Sequence, residues 1–236
     1  MRQSAQTVVH GICAILATVL GLSLDVVRVP IYGFDTGNRT LSAGVSVVSL
    51  GTLNPALAAG VASLGAAIHH MLLARDPSIN EGRARWAEYT VTAPIMMAAI
   101  AALCGVQMIG ELIGVAAAQA LCIVLRRQKM AAWLFLLIAW LLPTLRLAIS
   151  DAPTIAFVVY AVMFLLFFLF GVIDNVSWLR SEPAAYDVAS LCSKLSLVAM
   201  VCAGTVPTAA AVMGSFGLLF AIVALATIGG AWTCCL

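Results

Sequence analysis

Apolar residues run along this chain in long blocks, each closed by a charge or by a proline or glycine turn. The blocks cover 7–29, 46–74, 82–106, 109–127, 130–150, 153–179, 184–205 and 209–231. A helix rises 1.5 Å per residue, so about 20 apolar residues cross the hydrocarbon core of a bilayer. The pattern predicts seven or eight transmembrane helices. Most connections are tight, so consecutive helices are expected to pack antiparallel. The segment 30–45, PIYGFDTGNRTLSAGV, is the exception and is long enough for a hairpin or a cap over one end of the bundle. Its Asn38-Arg39-Thr40 triplet is a glycosylation sequon that also arises often by chance. Met1 to Leu24 has the outline of a signal peptide, but the apolar run continues to Val29 without a clear small-x-small cleavage site. It reads as a retained first helix.

Composition fixes the solvent. Hydrophobic residues make up 63% of the 236 positions and charged residues 9%, whereas a soluble domain carries about 25% charged residues. The chain therefore belongs in the lipid bilayer, and a net charge of +2 gives no footing for nucleic acid. Cys13, Cys104, Cys122, Cys192 and Cys202 sit inside apolar blocks and read as packing residues. No cysteine pair has metal-ligand spacing with histidine nearby, so no metal is expected. The expected fold is an all-α membrane helical bundle. Residues 1–206 form its seven-helix part, and 207–236 carry a further C-terminal hydrophobic helix if that stretch spans.

Loop charges give the orientation. With a cytoplasmic N-terminus the inner side holds Arg2, Arg75, Arg83, Arg85, Arg126, Arg127, Lys129 and Arg180, and the outer side Arg28, Arg39 and Arg146. Positive charge accumulates on the cytoplasmic side of membrane proteins, so the N-terminus is expected inside.

One cation remains, within a span. Lys194 lies about 15 Å along its helix from Ala184 at 1.5 Å per residue, too deep to snorkel into free water. A charge at that depth needs a partner or must be lost, and a desolvated lysine is the residue that forms Schiff bases. The matching acid is Glu88, about 12 Å from the expected helix start at Asn80. The residues alone also allow a buried ion pair without a cofactor, or a proton-coupled transporter site. His10 and His69 come to the same end as Glu88 and suggest a polar pocket able to hold or relay a proton. Adjacent His69 and His70 point about 100° apart on a helix, so at most one of them is expected to face the bundle. Asp174 could extend a polar path to the cytoplasm; Asp187 is expected at a wet helix end, and Glu111 near an outer end. Phe164, Phe167, Phe168 and Phe170, with Trp140, Met96 and Met97, could wall a flat conjugated ligand.

At this point a family resemblance enters. Arg85-Trp86-Ala87-Glu88-Tyr89 resembles the RWxEY motif of heliorhodopsins, and Tyr186 to Lys194 resembles their YxxxSLxxK segment. The inverted orientation, the long first outer loop, Cys104-Gly105 and the histidines at His10 and His69 are similar as well. The resemblance spans about residues 5–206. It implies a seven-transmembrane rhodopsin-like fold with all-trans retinal bound covalently to Lys194 and Glu88 as counterion. By the same resemblance, Ser190 hydrogen-bonds near the Schiff base, Phe168 lies beside the polyene, and Gln119 stands where many members carry asparagine.

The expected function is that of a light-responsive sensory or regulatory receptor, not an enzyme, acting on an unknown signalling partner. The alternative is a light-gated proton channel or transporter, with His10, His69, Asp174 and Glu111 on its pathway. Gly110 to Gly114 forms a G-x-x-x-G pattern, and small faces let helices approach closely in lipid. A homodimer through the fourth helix is therefore expected.

Overall fold

The computed structural model describes residues 2–23, 28–34, 47–150 and 152–202. The elements are α1 (Arg2–Ser23), β1 (Val29–Phe34), β2 (Val47–Leu53), α2 (Pro55–Arg75), α3 (Glu81–Leu103), α4 (Ile109–Val124), α5 (Lys129–Ile149), α6 (Thr154–Asn175), the short α7 (Ser177–Arg180) and α8 (Pro183–Cys202). Helices α2, α3, α5, α6 and α8 are long and apolar enough to cross a membrane. The fold class is a helical membrane bundle. The stretch 209–231 and the sequon at 38–40 lie outside the described residues.

Two predicted boundaries move, and both move for the same reason. The first block was expected to stay helical to Val29 and the second to begin at residue 46; instead α1 ends at Ser23 and α2 begins at Pro55. The intervening apolar residues pair as antiparallel strands, from Val29 opposite Leu53 to Phe34 opposite Val47. Val47-Val48 favours extended backbone because β-branched side chains fit a pleated surface. Gly51 has φ +129, a conformation that L side chains rarely adopt and a helix cannot use. Helix α2 then starts sharply. Pro55 occupies its first turn, and the Asn54 side chain accepts from the Ala56 and Leu57 amides at 3.0 and 3.3 Å. A hairpin was one of the two expectations for 30–45, and its second strand is taken from the start of the expected second helix. It is anchored by the Tyr32 amide, which donates to the Gln107 carbonyl between α3 and α4 at 2.9 Å.

Packing within the bundle relies on small residues. Ala56, Ala59, Ala62 and Ala66 recur along α2 and are buried. A Cβ at Gly60 would lie 3.3 Å from the Ala17 Cβ of α1, so α1 and α2 run in close contact, as helices do where lipid offers no hydrophobic drive between them. Large apolar side chains point the other way: Ile12, Ile15 and Val19 on α1 and Leu134, Leu137 and Leu141 on α5 are exposed. In a soluble protein such surfaces would aggregate; here they face acyl chains. The charged helix ends separate into a hairpin end and a far end, the latter holding Arg75, Glu81, Arg126, Lys129 and the start of α8.

Candidate functional site

Helical periodicity aims the polar residues of α3 and α8 at each other. On α3, Arg85, Glu88, Tyr89, Thr92 and Met96 recur at spacings of three and four and share one face. On α8, Tyr186, Ser190 and Lys194 do the same. Both helices run in from the far end, so Lys194 and Glu88 meet inside the bundle. Lys194 Nζ lies 3.2 Å from Glu88 Oε1, and the two side chains are 3% and 5% exposed. The ammonium also donates to Ser190 Oγ at 2.6 Å, and Thr92 Oγ1 donates to Glu88 Oε1 at 2.7 Å. Thr92 is held in place by α2, since a Cβ at Gly65 would come within 2.8 Å of its Cγ2. The Tyr89 ring lies 5.5 Å from Nζ, and its hydroxyl donates to the Tyr186 carbonyl. A buried charge pair is tolerated only where hydrogen bonds satisfy what the pair leaves over. Ser190 and Thr92 supply those bonds.

Beside Nζ opens a cavity of about 100 Å³. Its walls are Thr92, Ala93 and Met96 from α3, Gln119 and Ile123 from α4, Trp133 and Leu136 from α5, and Phe167, Phe170 and Gly171 from α6. Toward the far end it reaches Trp86, Arg126, Lys129 and Asp174. A lysine nitrogen at the edge of a cavity walled by flat rings and aliphatic side chains fits an elongated apolar molecule attached at that nitrogen. These residues suit a retinal group well.

The wall differs in detail from the expected one. Gln119 lines the cavity, but Met96 does so rather than Met97, and Phe167 and Phe170 do so rather than Phe168. Met97 is fully buried in the core; Phe168 is 41% exposed and rests on Trp133 at 5.2 Å. Trp140 sits in the core among Tyr160, Phe164 and Phe167 instead of bordering the cavity. Within a run of phenylalanines and leucines, only knowledge of how α6 is rotated separates wall from core.

The histidines correct the expectation that at most one of His69 and His70 faces inward. Both are buried, at 8% and 4% exposed. Helix α2 packs on α1 along one side and on α3 and α8 along the other, so directions 100° apart both end in protein. His70 stacks on His10, with ring centroids 5.4 Å apart, and its Nδ1 is 2.6 Å from Gln3 Oε1.

Arg85 and Asp187 are also corrections. Arg85, counted above with the loop cations, and Asp187, expected at a wet helix end, are 6% and 3% exposed. They pair across α3 and α8 at 3.6 Å, and Glu81 takes the other side of the guanidinium at 2.6 Å. The i, i+4 spacing of Glu81 and Arg85 was the available signal for this inward-facing row. Asp174 accepts from the Tyr186 hydroxyl at 2.8 Å. Glu111 is remote from all of these and pairs with Arg146 at 2.6 Å toward the hairpin end.

The sequence pattern that defines the heliorhodopsin family matches residues 4–128. That stretch is more than half of the chain, takes in His10, His69 and the Arg85–Tyr89 motif, and stops before the lysine helix. No curated protein matches the chain. With a helical membrane bundle and the family's own pattern over its first four long helices, this chain belongs to the heliorhodopsin family, a group of retinal-binding, light-responsive membrane proteins.

Proposed function

We propose that the protein is a sensory photoreceptor that carries all-trans retinal as a Schiff base on Lys194, with Glu88 as its counterion and the N-terminus in the cytoplasm. The observation that carries this reading is the buried Lys194–Glu88 pair at the edge of the apolar cavity. When bound, retinal supplies visible absorption and a light-driven change of shape at Nζ. The chain supplies the rest. Glu88 balances the positive charge at Nζ, Thr92 keeps the carboxylate turned toward it, and Ser190 accepts from the same nitrogen. Movement at Nζ lengthens the 3.2 Å contact, weakens the Coulomb attraction in proportion, and lets the Nζ proton leave toward the histidines.

The distribution of polar groups favours a sensor over a proton channel. Beyond Thr92, α3 continues from Ala93 to Leu103 without an ionisable side chain, and α8 from Leu195 to Val201 offers only Ser196. Among the described residues, Glu111 is the acid toward that end, and it is paired with Arg146. The half of the bundle toward the hairpin therefore carries no continuous chain of proton-exchanging groups among the described residues.

The test is the visible spectrum of the purified protein after retinal is added. The parent develops a visible band and Lys194→Ala develops none; a variant that keeps the colour would end this reading. Glu88→Gln either shifts the band to the red or converts it to a near-ultraviolet form at neutral pH, and a spectrum identical to the parent's would move the counterion role to another acid.

A further inference from the structure

We infer that the far-end mouth of the cavity, framed by Arg126 and Lys129, binds the phosphate headgroup of an anionic phospholipid. Binding there is independent of retinal and goes beyond the photoreceptor reading.

The cavity changes character along its length. Near Lys194 its walls are mostly rings and aliphatic side chains, whereas at the far end Trp86, Arg126, Lys129, Asp174 and Asn175 take over. Four of these lie where helices end. Arg126 follows α4, which stops at Val124; Lys129 opens α5; Asp174 and Asn175 close α6. Both α5 and α6 are long and apolar enough to cross a bilayer, so their ends stand at the level of the lipid headgroups. Basic pockets between transmembrane helices at that level are a recurrent seat for phosphate headgroups.

Arg126 is prepared for such a group. Its guanidinium carbon lies over the Trp86 ring, 3.9 Å from the centroid, so the indole covers one face of the fork. The N–H groups of a guanidinium lie in its plane and point out from its edges. Among the described residues none of those in Arg126 finds an acceptor, and the Lys129 ammonium has no ion-pair partner. Partial burial holds Arg126 below its ordinary pKa, while the Asp174 charge opposes that shift. A phosphate would relieve the same penalty more fully, because two of its oxygens match the fork bidentately. Lys129 adds a second positive charge. The mouth thus sets two cations against one acid, Asp174, whose carboxylate already accepts from the Tyr186 hydroxyl.

The surroundings of the mouth favour a lipid as the carrier of that phosphate. Leu121 and Val124 in the last turn of α4, and Met130 and Leu134 in the first turns of α5, are exposed apolar side chains. A headgroup seated on Arg126 brings its acyl chains against them, an anchorage that a soluble phosphate lacks.

Native mass spectrometry of the full chain, titrated in micelles with phosphatidylglycerol, tests this. One lipid is expected to bind ahead of all others, and phosphatidylcholine, whose phosphate carries its own cation, to bind more weakly. Arg126→Gln should weaken that first binding on the order of 30-fold, the scale of a bidentate charge-assisted contact. Arg126→Lys keeps the charge but loses the planar fork, and should also weaken it on the order of 10-fold. Arg127→Gln, one residue away but outside the cavity wall, should change it by less than about fivefold, as a basic residue at a membrane surface does. Equal losses in Arg126→Gln and Arg127→Gln, parent-like binding in Arg126→Lys, or equal binding of phosphatidylcholine would reduce the mouth to general surface charge and overturn the inference. Displacement of the lipid by millimolar inorganic phosphate would overturn it in favour of a soluble anion. Should Arg126→Gln fail to fold, Arg126→Lys decides. None of these measurements uses retinal, so a protein that stays colourless would overturn the proposed function and leave this site standing.

Discussion

Neutralising Glu88 in the retinal-free protein isolates the energetics of the site from its photochemistry. At 3.2 Å and an effective dielectric constant of about 20, two unit charges attract by ~5 kcal/mol. Glu88→Gln keeps the size of the side chain and an acceptor for Thr92 but leaves the Lys194 ammonium buried, with Ser190 as its remaining hydrogen-bond partner among the described residues. Removing one partner of a buried pair costs about 3–5 kcal/mol, because the other charge stays uncompensated. Lys194→Met should cost a similar amount by stranding the carboxylate. The double variant removes both charges and should return to within about 1 kcal/mol of the parent, since no uncompensated charge is left buried. The coupling energy would then be about 3 kcal/mol or more, well above the 0.5 kcal/mol scale of additivity error. Reversible unfolding by SDS titration in mixed micelles reads these differences from the helical circular dichroism signal. Additive single-variant costs, or singles within about 0.5 kcal/mol of the parent, would show that the two groups are solvated and do not form the pair on which the site depends.

Other consequences are open to simpler tests. A Cβ at Gly171 would lie 2.6 Å from the Trp133 ring, so Gly171→Ala should push Trp133 into the cavity, slow the growth of colour on retinal addition, and cost about 1–3 kcal/mol as overpacking does; parent-like loading would remove Trp133 from the wall. Cβ positions at Gly110 and Gly114 meet nothing within 4 Å, so Gly114→Ile should leave the fold intact yet break the proposed α4 homodimer, which native mass spectrometry from nanodiscs would report as a loss of dimer. Under voltage clamp across a pH gradient, illumination should elicit no current. A current reversing at the proton equilibrium potential and reduced by Glu111→Gln would establish the channel instead.

The helices and the central pair were legible in the sequence because both rest on one-dimensional signals. Apolar block length is set by bilayer thickness, and a lone lysine deep in a block is conspicuous wherever its helix points. Val29 and the second strand were absorbed into the neighbouring helices because Val29 and Val47-Val48 are as apolar as any lipid-facing residue, whereas Pro30 to Phe34 fall in the segment read as a hairpin or cap. What separates strand from helix there is the backbone at Gly51 and the cap at Asn54, both local and easily overlooked. Residues whose role depends on helix rotation were harder. Phe167 and Phe168 are adjacent and chemically identical, yet one lines the cavity and the other faces lipid. His70 was set aside by a sound rule about helical angles that assumes one buried face, whereas α2 has neighbours on two sides. Arg85 read as a loop charge because a helix start looks the same in sequence whether its first turns are wet or enclosed.

The fastenings at the two ends of α6 differ in kind, and this bears on where motion can emerge. At the hairpin end, β1 is tied to the α3–α4 turn through Tyr32 and Gln107, α4 to α5 through Glu111 and Arg146, and α5 to α6 through Thr144 and Tyr160 at 2.5 Å. These bonds join successive elements like stitches along a hem. At the opposite end, α6 is joined to α8 by the bond from the Tyr186 hydroxyl to the Asp174 carboxylate. A helix of 22 residues pivoting 5° about its stitched end swings its other end by about 3 Å, given 1.5 Å of rise per residue. A small disturbance at mid-bundle would thus be magnified into a displacement of the Asp174 end of α6, where a second protein could feel it.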